Sequence, residues 1–211
     1  MKTNRIFATA SKAALAAAFA AFAATVALPA AAQTATWTID PVHSDLSFRV
    51  KHLVISKVTG KFTKFEGTIT ADPKAPAAGT VDLKIDVASV NTSDEKRDAH
   101  LKAPDFFDAA KFPEITFKST KIVPAGKDAY DVTGNLTMRG VTKPVTLSVR
   151  SNGFAKDPWG NERAGFEVTG KLNRQDFGVS WSKTLDGGGA VVGDEVELQI
   201  AVEAIKKVAA K

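Results

Sequence analysis

Apolar and polar residues alternate along most of the chain from Leu46 onward. Leu46, Phe48, Val50 and His52 share one face of an extended segment, and Ser47, Arg49 and Lys51 share the other. The same period of two sets Val81, Leu83, Ile85 and Val87 against Asp82, Lys84 and Asp86. It returns at Ile115 and Phe117, at Val145, Leu147 and Val149, and at Ala164, Phe166, Val168, Gly170 and Leu172. Val196, Leu198, Ile200, Val202 and Ala204 close the series against Glu195, Glu197, Gln199 and Glu203. Successive side chains of a strand point to opposite faces, so each segment reads as a strand with one apolar face. With further segments near 58–70 and 128–138, the pattern predicts roughly eight strands. One apolar face on each predicts an antiparallel sheet with one wet side. Turn residues fall between the segments, at Asp72-Pro73-Lys74, Pro124-Ala125-Gly126, Asp157-Pro158-Trp159-Gly160 and Gly187-Gly188-Gly189.

One stretch breaks the period. Thr92-Ser93-Asp94-Glu95 fits a capping box, with Thr92 as N-cap and Glu95 reaching back. Asp94 and Glu95 also suit the positive end of a helix dipole. The spacing predicts a short helix from about Ser93 to Lys102, stopped by Pro104, because the residue before a proline avoids helical angles.

A short echo recurs inside the strands. Val58-Thr59-Gly60-Lys61-Phe62, Val132-Thr133-Gly134-Asn135-Leu136 and Val168-Thr169-Gly170-Lys171-Leu172 share one pattern. Glycine in mid-strand permits a bulge or sharp bend, which suits a sheet that curls on itself. Long antiparallel strands, each apolar on one side, favour a closed barrel, because closure removes exposed edges. An eight-stranded barrel is either filled by side chains or holds one small ligand. Thirteen phenylalanines and a single tyrosine indicate an apolar interior with few polar handles. Either packing or a ligand recognised by burial accounts for that composition.

The composition narrows the chemistry. The 211 residues contain no cysteine, which excludes disulfides, thiolate metal sites and a cysteine nucleophile. Residues 1–32 carry Lys2, Arg5 and Lys12 and no acid, then an apolar run from Ala13 to Leu28, then Ala30-Ala31-Ala32. This is the layout of a cleaved secretory signal peptide, and it points to the periplasm. The mature domain would then be residues 33–211, with no stable membrane anchor. Without those three cations, 25 basic residues face 23 acidic ones, a near balance with no electrostatic footprint for nucleic acid.

Motifs for catalysis are weak. His43, His52 and His100 show no metal-binding spacing, and no metal or cofactor is expected. Ser93-Asp94-Glu95-Lys96 matches S-x-x-K, but the S-D-N and K-T-G strings that this chemistry also uses are absent. No nucleophile elbow or phosphate-binding loop occurs. His52, on the apolar face of Phe48 and Val50, is either a satisfied interior histidine or a hydrogen-bonding partner for a ligand head group. Arg97, Asp98 and His100 form a polar cluster on the expected helix, suited first to capping and ion pairing.

The residues resemble the YceI-like family of polyisoprenoid-binding, lipocalin-like periplasmic proteins. The resemblance runs from Trp37 to about Ile205. It rests on Asp40, His43-Ser44 and Phe48 to His52; on Val58 to Phe62 with Phe65-Glu66-Gly67; and on Ser89 to Thr92. Arg97 to Leu101, Asp105 to Asp108 and Phe112 to Phe117 carry its most specific part. Gly134 to Gly140, Asn173 to Gly178 and Val192 to Val196 complete it.

The resemblance implies an all-β, eight-stranded antiparallel lipocalin-like barrel with one short helical insertion. It also implies a tunnel for a long isoprenoid or fatty-acyl-like lipid, frequently in a homodimer, and no catalytic residues. The inward faces give Phe48, Val50, His52, Leu83, Ile85, Phe117, Leu136, Leu147, Phe166, Leu198 and Ile200 as the expected ligand-binding set. A shift of one residue in register would reverse that assignment. The expected function is a binding, carrier or storage protein for a quinone- or polyprenyl-type lipid. The rival readings are an enzyme acting on such a lipid, with His43, His100 and Asp98 as acid–base groups, and a structural stress protein with a filled barrel.

Overall fold

The alternating segments form eleven strands: β1 (Ala35–Ile39), β2 (Asp45–His52), β3 (Ser56–Phe62), β4 (Phe65–Asp72), β5 (Ala75–Asp86), β6 (Val90–Asn91), β7 (Glu114–Gly126), β8 (Ala129–Met138), β9 (Val141–Lys156), β10 (Glu162–Asn173) and β11 (Val192–Lys206). One helix, α1 (Glu95–Lys102), interrupts them. The computed structural model describes residues 34–72 and 75–207. The expected leader and part of the Asp72-Pro73-Lys74 turn lie outside the described residues.

All strands belong to one antiparallel sheet, and pairing of β1 with β11 closes it. Several short strands lie end to end. β1 and β2 both run along β11, with Trp37 opposite Lys206 and Leu46 opposite Ile200. β3 and β4 follow the same two partners on their other side, with Phe62 opposite Leu46 and Ile69 opposite Trp37. β6 extends β5, since Val90 pairs with Phe62 and Ile85 with Phe65. The wall is therefore an up-and-down barrel of eight antiparallel staves, as expected.

The breaks have local causes. Between β1 and β2, Asp40 accepts a hydrogen bond from the Val42 amide at 3.0 Å and turns the chain outward. Between β5 and β6, Asp86 caps a single 3-10 turn, accepting from the Ala88 amide at 2.9 Å. Such side-chain bonds offer the backbone an alternative to the ladder. Alternation of polarity continues across them, so the periodicity does not mark them.

The helix begins later than the spacing predicts. Asp94, not Thr92, is the N-cap, and its carboxylate accepts from the Arg97 amide at 2.9 Å. Ser93 sits at φ 62, outside helical geometry. Thr92 is buried and turns instead to Asp98, whose Oδ1 accepts from the Thr92 amide at 2.8 Å and from its hydroxyl at 2.6 Å.

The echoed glycines also serve differently. Gly60 and Gly170 lie in regular ladders, opposite Phe48 and Leu198, and only Gly134 adjoins a bulge, between Ser119 and Lys121. What unites them is contact. A Cβ on Gly60 would lie 2.4 Å from the Phe48 ring, one on Gly134 2.4 Å from the Phe117 ring, and one on Gly170 2.6 Å from Leu147. Each glycine leaves room for an inward side chain of a neighbouring strand.

At one end of the barrel lie α1, the loop through Phe106 and Phe107, the 3-10 turn Arg174–Phe177 and the segment between β10 and β11. Phe62, Val87, Val90, Phe106, Ile115, Met138, Phe177 and Val179 form a buried cluster there. A smaller cluster of Trp37, Ala164 and Ala204 lies towards the chain termini.

Candidate ligand-binding cavity

The interior is not filled. Two cavities, of about 340 Å³ and about 220 Å³, lie inside the wall. The larger is at the α1 end. Phe48, Val50, His52, Ile85, Leu136 and Leu198 line it, with Phe62, Met138 and Trp181. The smaller is lined by Phe166 with Trp37, Ile69, Tyr130, Val132, Phe154 and Val202. Leu83, Phe117, Leu147 and Ile200 line both, as does Leu46. Every residue of the inward set read from the periodicity therefore faces one cavity or both. A strand with one apolar face has only one way to turn once its neighbours close into a barrel.

The polar groups of the larger cavity gather towards α1. Arg97 and His100 project from successive turns of the helix, and Thr92, His52, Lys51 and Arg174 add to the lining. Arg97 is held in place by its Nε, which donates to the Thr92 hydroxyl at 2.8 Å, and its Nη2, which donates to the Thr92 carbonyl at 2.8 Å. His100 Nε2 lies 2.7 Å from Asp105 Oδ2. Its ring meets Phe106 and Trp181 edge-on, with centroids 4.8 and 5.2 Å apart. The hydrogen bond to His100 holds the Asp105 carboxyl below its ordinary range, against the smaller effect of desolvation.

Arg174 was not singled out by the sequence pattern. It is 4% exposed and donates to the carbonyls of Val179, Trp181, Gly193 and Val192, at 2.6, 2.8, 2.9 and 3.3 Å, and to Asp194 at 3.1 Å. Desolvation lowers its pKa, and the Asp194 charge opposes that shift. The available signal was a capped single turn. The Asn173 side chain accepts from the Gln175 amide at 2.9 Å, and Gly178 ends the turn at φ 73.

The expected acid–base trio is not assembled. His43 lies on the outward β1–β2 loop, 2.8 Å from Asp40, and lines neither cavity. Asp98 is turned to Thr92 and lines neither cavity either. Among the described residues, Asp40, His43 and Glu203 have metal-ligating atoms close together. The Arg163 guanidinium already occupies that group, donating to Asp40 at 3.0 Å and to Glu203. A cation would have to displace another cation there, so the cluster is an ion-pair network.

Known proteins share this construction. Residues 37–204 match the YceI-like domain. Protein YceI of Salmonella newport is 46% identical over 165 residues, which is 78% of this chain and 83% of that protein. The crystal structure of Burkholderia cenocepacia BcnA is similar at TM-score 0.70 and 30% identity, over 78% of this chain and 98% of that one. A polyisoprenoid binding domain from Saccharophagus degradans shares the fold at TM-score 0.58 and 17% identity, over 81% of this chain and 98% of that one. An eight-stave barrel with a helical insertion, matched across nearly its whole length at this identity, belongs to the YceI-like family.

Proposed function

We propose that the protein binds a long isoprenoid chain, of quinone or polyprenyl type, inside the barrel, and carries or stores it in the periplasm. The observation that carries this reading is the lumen itself: two adjoining cavities walled mainly by aliphatic and aromatic side chains, with Arg97, His100 and His52 at the α1 end of the larger and Asp72, Asp128 and Ser151 among the lining of the smaller. Burying each methylene of a ligand contributes about 0.8 kcal/mol, so a prenyl chain gains affinity from length alone. Apolar pockets with few convergent polar groups suit a ligand that needs only its head oriented. Arg97, His100 and His52 offer hydrogen bonds to an oxygen-bearing head group, and the chain would extend past Leu83, Phe117 and Leu147 towards Phe166. The fold shared with a polyisoprenoid binding domain supports the ligand class. The basic, alanine-rich first 32 residues support export.

Trp181 in the larger cavity gives a direct optical test. Titration with decylubiquinone should quench its fluorescence saturably at one ligand per barrel. No saturable change with this quinone, and none with a prenyl alcohol, would contradict the proposal.

A further inference from the structure

At one level of the barrel the two cavities meet, and every stave contributes one inward position there. Leu46, Leu83, Phe117, Leu147 and Ile200 are the side chains common to both cavities. The remaining three staves present glycine. Gly170 lies on β10 between Val168, which lines the smaller cavity, and Leu172, which lines the larger. Gly134 holds the same place on β8, between Val132 and Leu136. On β4, Gly67 pairs with Leu83, and Ile69, two residues on, lines the smaller cavity. Small and large residues thus share one belt, and the large ones lean into the space the glycines leave. A Cβ on Gly134 would collide with Phe117, one on Gly67 with Ile39, and one on Gly170 with Leu147.

We propose that this belt is the chain-length selector of the barrel, and that Gly170 and Gly134 hold it open by seating Leu147 and Phe117 against the wall. The proposal rests on the isoprenoid-binding reading and deepens it. A short prenyl chain fits in one cavity and never crosses the belt. A long one must pass it. Filling a glycine seat drives the neighbouring side chain towards the lumen, because the interior is close-packed along the wall and open only at its centre.

Gly170 gives the cleanest test. The nearest atom to its added Cβ is the tip of Leu147 at 2.6 Å, and the next residue, Leu198, is 3.8 Å away. Gly134 and Gly67 would also meet backbone oxygens, at 2.6 and 2.7 Å, which would disturb the wall itself. In Gly170→Ala the Leu147 side chain should therefore move while the sheet stays in place. The double variant Gly170→Ala, Leu147→Ala removes the displaced side chain and should reopen the belt.

The experiment measures binding of farnesol, a short isoprenoid alcohol, and solanesol, a long one, to the wild-type protein and both variants. Trp37 and Trp181 line different cavities, so single-tryptophan forms of each protein report the two compartments separately. Gly170→Ala should bind farnesol as the wild type does and lose solanesol affinity by about tenfold or more, as expected when an extra methyl overpacks a tight site. Solanesol should then perturb only one of the two tryptophans, and the double variant should regain both signals.

Equal losses for the two alcohols, unchanged solanesol binding in Gly170→Ala, or no recovery in the double variant would overturn the selector. A wild-type protein that binds neither alcohol would overturn the selector, and one that also fails to bind decylubiquinone would overturn the ligand class.

Discussion

Arg174 shows how one side chain can fix a wall. Its carbonyl partners come from the segment after the 3-10 turn and from the start of β11, so the guanidinium ties together two stretches otherwise joined by the isolated bridge between Thr184 and Ala190. A buried carbonyl left without a donor costs about 1–3 kcal/mol where water cannot replace the lost partner. Arg174→Met should lower unfolding stability by about 3 kcal/mol, read from a urea midpoint at unchanged slope. A change below about 0.5 kcal/mol, the size of an ordinary surface substitution, would show that these carbonyls find water instead. Asp157 makes a matching prediction in pH. Desolvation alone would raise its carboxyl, but hydrogen bonds from the Asn161 side chain, Arg163 and the Asn161 and Trp159 amides outweigh it, and the carboxyl is held at about 2 against an ordinary 3.8. A depressed carboxylate stabilises the fold fully above its unfolded pKa, and this contribution disappears as pH falls through the folded value. Between pH 3.8 and about 2 the wild type should therefore lose stability more steeply than Asp157→Asn. Parallel acid-denaturation curves would show that the turn does not depend on this charge. The sequence marks the turns that hold both residues, but not what their side chains bind. Arg174 sits outside any apolar periodicity, and Asp157 is one acid of a common turn motif whose partner Arg163 is brought to it by the β9–β10 hairpin.

Among the elements, the strands were the most legible, because a period of two survives wherever one face meets the core and the other meets water. It located β8 and β10 closely and the C-terminal half of β5 and the middle of β11, and it turned Phe48, Ile85 and Leu198 inward. It could not show that residues 58–70 divide at Thr63 and Lys64, since a bend in one stave leaves the polarity pattern unbroken. Helix α1 was legible in place but not in its start. Two capping residues, Thr92 and Asp94, compete within one turn, and the buried Asp98 decides between them by binding Thr92. Asp94→Ala should cost about 1 kcal/mol, and Thr92→Ala should act through Asp98 and Arg97 without removing the cap. Thermal melts of the two variants separate these roles. A helix content at 222 nm that falls more for Thr92→Ala than for Asp94→Ala would reverse the assignment. The glycine echo was visible as a repeat, but its use was not. Whether Gly170 bends a strand or accommodates Leu147 depends on a neighbour set by register across the sheet.

At the scale of the molecule, closure joins these parts. β11 meets β10 along its length and shares its other edge between β1 and β2, so one strand seals the barrel around an interior of modest polarity. Periodicity alone allowed a packed core or a container, because apolar faces look the same in both. The distinction depends on how eight staves share their volume: bulky residues at Phe117 and Leu147, glycine at Gly134 and Gly170, and space left between them. Ligand occupation should raise thermal stability, since a lipid that binds only the folded barrel shifts the unfolding equilibrium by mass action. The most direct measurement is native mass spectrometry of the protein purified from its own host, followed by solvent extraction of what it carries. A stoichiometric isoprenoid, quinone or polyprenol released on unfolding is the predicted result. A protein that arrives empty and takes up neither class when offered it would contradict the barrel's role as a lipid container.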